Sequence, residues 1–254
     1  MVTIMKKVIK ALTGFAILFL LYHAAEYMIV FQNSVEGFLM GQGLFFAVAY
    51  QLARCQSRKG LSAWGLGFSA NTFRLFLSGT MMGIALYGSS WLLNLAFGFE
   101  IVQKVPASSV LIQKGGLFTF GVFFSSLSED ILTRGYVYYH LQEKVSSVVL
   151  GVISAIIYLL NHIYKLGSGP EAWLYLFPLG LLYVMPLIMT GNLWFAGAMH
   201  WVGNVFFYMS HDLIDTQSGS SISPNYIFCG YILFIQVSFV VLRNCTKAVI
   251  NGST

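Results

Sequence analysis

Apolar residues run through this chain in long stretches, separated by short polar clusters. Eight stretches are long enough to cross about 30 Å of hydrocarbon. They cover 8–31, 35–53, 73–99, 110–138, 147–165, 172–189, 193–210 and 226–243. Helices that are apolar all round carry little amphipathic period, so run length makes the assignment. Glycine, proline and polar residues punctuate the runs at Gly167-Ser168-Gly169-Pro170, at Thr190-Gly191-Asn192 and from Gly219 to Pro224. The pattern predicts an all-α fold: a polytopic transmembrane helix bundle of about eight spans. It is read as one integral membrane domain over 1–254, with no internal repeat, low-complexity tract or soluble domain.

Composition strengthens this reading. Only 9% of the 254 residues are charged and 57% are hydrophobic, whereas a soluble domain carries about 25% charge. So few charges could not cover the surface of a soluble enzyme, and disorder requires the opposite composition. The net charge of +5 is scattered over span ends, so a nucleic-acid partner is excluded and the bilayer is the partner. With the N-terminus in the cytoplasm, the inner side holds Lys6, Lys7, Lys10, Arg54, Arg58, Lys59, Arg74, Arg134, Lys144, Arg243 and Lys247. The outer side holds Lys104, Lys114 and Lys165. The positive-inside rule then predicts both termini in the cytoplasm, in what is expected to be a bacterial cytoplasmic membrane. Lys6, Lys7 and Lys10 before Ala11–Tyr22 also resemble a signal peptide with Ala24-Ala25 as cleavage site; the apolar run continuing to Phe31 favours a retained span. Cys55, Cys229 and Cys245 have neither disulfide nor zinc spacing.

Polar residues inside the spans need a reason, because each ionisable group there costs roughly 2.5–3.5 kcal/mol. Asp130 and Arg134 are four apart on a helix and can pair. Glu129 is about 100° round from Asp130 and lacks that partner. Glu129 and His162 are equidistant from a turn near Lys144–Ser147, so an antiparallel helix pair sets them at one depth. With the membrane surface near Tyr138, Glu129 lies about 13 Å below it, and His200, ten residues past Thr190, lies about 15 Å deep. Asn204 shares a helix face with His200. Taken singly, each histidine reads as a structural residue bonded to a backbone carbonyl; together they suggest a site in a cavity opening toward the cytoplasmic side. His211, beside Asp212, reads as interfacial.

These residues resemble the motifs of the CAAX protease and bacteriocin-processing (CPBP or Abi) family of intramembrane endopeptidases. The family pattern EExxxR appears as Glu129-Asp130-Ile131-Leu132-Thr133-Arg134, followed by Gly135-Tyr136. FxxxH appears as Tyr158-Leu159-Leu160-Asn161-His162, and HxxxN as His200-Trp201-Val202-Gly203-Asn204. The similarity covers about 115–210 and includes the lead-in from Leu179 to His200. Asp130 stands where the family has a second glutamate, and Tyr158 where it has phenylalanine.

The resemblance implies an intramembrane endopeptidase that cuts a membrane-associated protein or peptide. Ionised Glu129 would take a proton from a water held with His162. His200 and Asn204 would donate to the developing oxyanion, and Arg134 with Asp130 would support the site. Glu129, His162 and His200 also make a Glu/His₂ set of catalytic zinc type, without HExxH spacing. A metal-free glutamate mechanism is favoured, because the neighbouring carboxylate is tied to Arg134. The alternative class is a non-catalytic scaffold or immunity-type peptide-binding protein on the same fold. A transporter is third, disfavoured by the absence of inverted repeats.

Overall fold

The computed structural model describes residues 2–165, 167 and 169–252. Ser168 and the side chains of Arg243, Cys245 and Lys247 lie outside the described residues. The chain forms α1 (Val2–Val30), α2 (Val35–Gln56), a 3₁₀ turn (Gly60–Trp64), α3 (Thr72–Ala96), β1 (Glu100–Lys104) and α4 (Ser108–Asp130). It continues through a π turn (Ile131–Gly135) into α5 (Tyr136–Leu141), then α6 (Ser147–Asn161), α7 (Pro170–Thr190) and α8 (Trp194–Phe207). A second π turn (Tyr208–Leu213), β2 (Asp215–Ser218) and α9 (Pro224–Gly252) complete it.

Local chemistry explains several boundaries. Ser34 and Ser146 cap α2 and α6, accepting from the backbone N–H of Gly37 and Val149. Pro170 opens α7, where its missing N–H costs nothing, and Gly191 closes it at φ 66°.

Five helical segments are long and apolar enough to cross a membrane: Met5–Val30, Thr72–Ala96, Ser108–Leu141, Pro170–Thr190 and Pro224–Leu242. Bulky apolar side chains such as Leu20, Met40, Phe73, Val148 and Phe234 stand exposed on the bundle's outside, as a lipid-facing surface requires. The protein is an integral membrane protein. The other three expected spans are less apolar or shorter. α2 carries Glu36, Gln42, Gln51 and Arg54, while α6 and α8 have 15 and 14 residues. The span expected over 147–165 ends at Asn161, so His162 is its C-cap.

Helices alternate in direction, giving the bundle two ends. At one, the Leu193 N–H donates to the Gly65 carbonyl (2.8 Å) and Tyr139 to the Gln56 carbonyl (2.9 Å). At the other, Phe31 packs on Tyr164, and Glu171 accepts from Ser223 and Asn225. This second end holds a short antiparallel ribbon of β1 and β2, a minor addition to the all-α fold. Glu100 on β1 is buried and meets the ring of His211 at 2.8 Å. Two apolar clusters fill the interior. One gathers Leu18, Phe45, Trp64 and Ile131; the other gathers Leu86, Tyr158, Leu179 and Met199. Leu18, Tyr22 and Ala25 of α1 are buried, so α1 is part of the fold.

Candidate active site

The motif residues converge between the two apolar clusters. Glu129 and Asp130 end α4, and the π turn follows at once. Such turns recur at functional sites, because the extra residue re-aims the side chains around it. Arg134 sits on this turn and reaches back to Asp130, both with no exposed side-chain surface. Arg134, counted with the basic residues of the inner side, lies at the centre of the bundle. Its guanidinium lies 4.5 Å from the Tyr158 ring centre and 4.9 Å from that of Tyr183. Two rings and one carboxylate thus replace the water this cation gives up. Tyr183 is hydrogen-bonded to Tyr87, which links the assembly to α3.

Asp130 also fixes His200. Its Oδ1 lies 3.0 Å from His200 Nδ1, and a carboxylate only accepts, so this nitrogen carries the proton. His200 Nε2 then has a lone pair, 3.2 Å from the amide nitrogen of Asn204. That amide also donates to Ser126 at 2.9 Å. Close approach of α8 to Asp130 depends on Gly197, where a Cβ would stand 3.3 Å from Asp130 Oδ2.

Glu129 has a different environment, though it neighbours Asp130 in sequence. Its side chain is 5% exposed. Oε1 accepts from the Asn161 amide at 3.1 Å. Its oxygens lie 3.5 Å from His162 Nδ1 and 3.5 Å from His200 Nε2, longer than hydrogen bonds. His162 Nδ1 instead sits 2.9 Å from the Tyr158 carbonyl, which sets that nitrogen as donor. Glu129 is therefore flanked by two imidazoles without being consumed by either. Exposure rises from Arg134 and Asp130 at 0% to His162 at 17%. His162, the most exposed of these side chains, caps α6 at the end away from the Leu141–Ser147 turn.

All six sequence-predicted residues are thus brought together. Sequence reading missed Asn161, which hides inside a motif known for its histidine, and Tyr183, which looks like any membrane tyrosine. It also left two other inward acids unremarked. Glu100 is buried, and Glu26 on α1 packs against Ser125, one turn before Glu129. Both lay within or beside long apolar runs whose neighbours were not legible.

The donor set can be tested against a metal. Glu129 Oε2 and His200 Nε2 could share an ion, but His162 presents its near nitrogen to a backbone carbonyl. Among the described residues no three His, Cys, Asp or Glu side chains are placed to hold one ion.

Residues 113–206 match the family described as type II CAAX prenyl endopeptidase, Rce1-like. No curated protein and no solved structure matches the chain. The matched segment contains every residue of the three motifs, and the order of those motifs is the family's own. Over 113–206 the chain is thus similar to the Rce1-like CAAX endopeptidases of the CPBP/Abi family, a similarity that supports a protease.

Proposed function

We propose that this protein is an intramembrane endopeptidase in which Glu129 activates the attacking water. The observation that carries the reading is the placement of a nearly dry carboxylate between His162 and His200 with a single strong donor, Asn161. A carboxylate so placed has lone pairs free to accept from a water. The water is held by hydrogen bonds to Glu129 and to the free Nε2 of His162, and it transfers one proton to Glu129 as it attacks. Its oxygen adds to the peptide carbonyl carbon, and Glu129 holds the transferred proton. The Asn204 amide donates to the oxyanion, worth about 3 kcal/mol, and His200, its Nδ1–H held by Asp130, positions that amide through Nε2. Collapse breaks the C–N bond, and the proton on Glu129 passes to the leaving amine. No step runs through a metal ion. Metal analysis of the purified protein and chelator treatment test this: loss of activity on chelation, restored by zinc, would overturn it.

The matched family's name makes a prenylated CAAX peptide the first substrate to try. We further propose one membrane domain of eight helices crossing or re-entering the bilayer, α2, α6 and α8 being sheltered by the others. Arg54, Arg58, Lys59 and Lys144 lie near one end and Lys104 and Lys165 near the other, which supports placing both termini in the cytoplasm of a bacterial cell. Comparing membrane proteomes of wild type and Glu129→Gln tests the activity. Termini present only in wild type are expected; identical termini would leave the scaffold reading in place.

A further inference from the structure

The described site takes nothing from α1, yet α1 carries an unusual polar group against it. His23 is 7% exposed, and among the described residues neither ring nitrogen lies within hydrogen-bond distance of a partner. Its ring is walled by Phe19, Tyr22 and Tyr164, with centroids at 4.2, 5.1 and 5.8 Å. The polar side chains near it are Asn161 and His162. The Asn161 carbonyl oxygen is itself buried and unpaired, while its amide nitrogen donates to Glu129. Two unpaired polar groups therefore face each other beside the candidate base. Leaving both unsatisfied is costly, and a small closing movement or one bridging water joins them.

The consequence concerns the amide of Asn161. A primary amide can present either end to Glu129. Nitrogen toward Glu129 donates; oxygen toward Glu129 repels. A donor at the other end of Asn161 selects the first orientation, and His23 is that donor. Tyr22 and Glu26 hold His23 in place. Tyr22 donates to Glu26 at 2.8 Å and Ser125 of α4 donates to the same oxygen at 3.2 Å. This stitches the His23 turn of α1 to the turn of α4 that precedes Glu129.

We propose that His23 is a positioning residue of the site: its ring N–H engages the Asn161 carbonyl and so keeps the Asn161 amide donating to Glu129. The inference rests on Glu129 being the base, and it extends the working site to a helix outside the 113–206 match.

The test uses the full chain expressed in cells, with the termini that disappear in Glu129→Gln as the product to be quantified. His23→Phe keeps a flat ring and loses the donor; it should slow formation of those termini about tenfold, the worth of one hydrogen bond to a charged group's partner. His23→Gln restores a donor and should return the rate to within about threefold of wild type. In an Asn161→Ala background, His23→Phe should change nothing further, since its route to Glu129 is gone. The proposal is overturned if His23→Phe matches wild type while Glu129→Gln is inactive. It is equally overturned if His23→Gln and His23→Phe are slowed alike at equal membrane abundance, which would mark a packing role. If His23→Phe does not accumulate, His23→Leu takes its place in the same comparison. Failure of Glu129→Gln to remove any terminus refutes the endopeptidase reading itself, and is recognised separately.

Discussion

Removing Arg134 should destabilise the protein less when Asp130 loses its charge as well. Both side chains have no exposed surface, and they pair with each other. Arg134→Met fills similar volume but strands the Asp130 carboxylate with one remaining partner, His200 Nδ1 at 3.0 Å. Breaking a buried pair by deleting one partner costs about 3–5 kcal/mol. Loss of the two tyrosine faces at 4.5 and 4.9 Å adds roughly 1–2 kcal/mol. Most of the first figure is the uncompensated anion. Asp130→Asn removes that anion while keeping shape and an acceptor for His200. The pair Arg134→Met with Asp130→Asn should therefore recover about 2–3 kcal/mol relative to Arg134→Met alone. Equilibrium unfolding in mixed detergent and dodecyl sulfate micelles measures the cycle. A double variant as unstable as Arg134→Met would show that packing on the tyrosines, and not the stranded charge, dominates this centre.

Four further outcomes are expected. Tyr158→Phe keeps the ring over Arg134 and should leave activity within about twofold, whereas Tyr158→Leu should cost about 1–2 kcal/mol of stability in the same micelle assay. Asn161→Asp sets a second acceptor-only group against Glu129 and should abolish the products that Glu129→Gln also abolishes; retained product would refute the donor role of Asn161. Gly203→Ala places a methyl on the Tyr87 ring and should destabilise the α3–α8 contact by about 1–3 kcal/mol, seen as a lowered melting temperature. Ser126→Ala removes the acceptor that holds Asn204 and should lower kcat with KM little changed; a change confined to KM would place Asn204 in substrate binding instead.

What could be read from the sequence followed the strength of each physical signal. Long apolar runs gave the helices, because hydrocarbon thickness imposes a length that no soluble element shares. The pairing of Asp130 with Arg134 was legible because four residues on a helix is a fixed geometry. The common level of Glu129 and His162 followed from counting out from a turn. What the count could not show is that α6 stops at Asn161 and that His162 leaves the helix, since a helix end without proline or glycine leaves little mark. The ribbon of β1 and β2 was hidden because its residues lie 111 or more positions apart in register, as Lys104 against Asp215. His23 and Glu26 were passed over because an apolar run masks single polar residues on one face, and only packing reveals which face turns inward.

The two neighbouring acids show how one helix serves two needs. Glu129 and Asp130 are both buried and adjacent, so their surroundings differ by rotation alone. Asp130 turns to Arg134, which cancels its charge and lets it fix His200 in one tautomer. Glu129 turns to a neutral donor and two imidazoles, and among the described residues no Lys or Arg pairs with it. With both histidines neutral, the cluster of Glu129, Asp130 and Arg134 has a net charge of about −1, located on Glu129. Without Arg134 two like charges would share the same dry space, and one would have to take a proton. Arg134 thus matters to Glu129 without touching it: by neutralising Asp130 it leaves Glu129 as the carboxylate that carries the cluster's net charge.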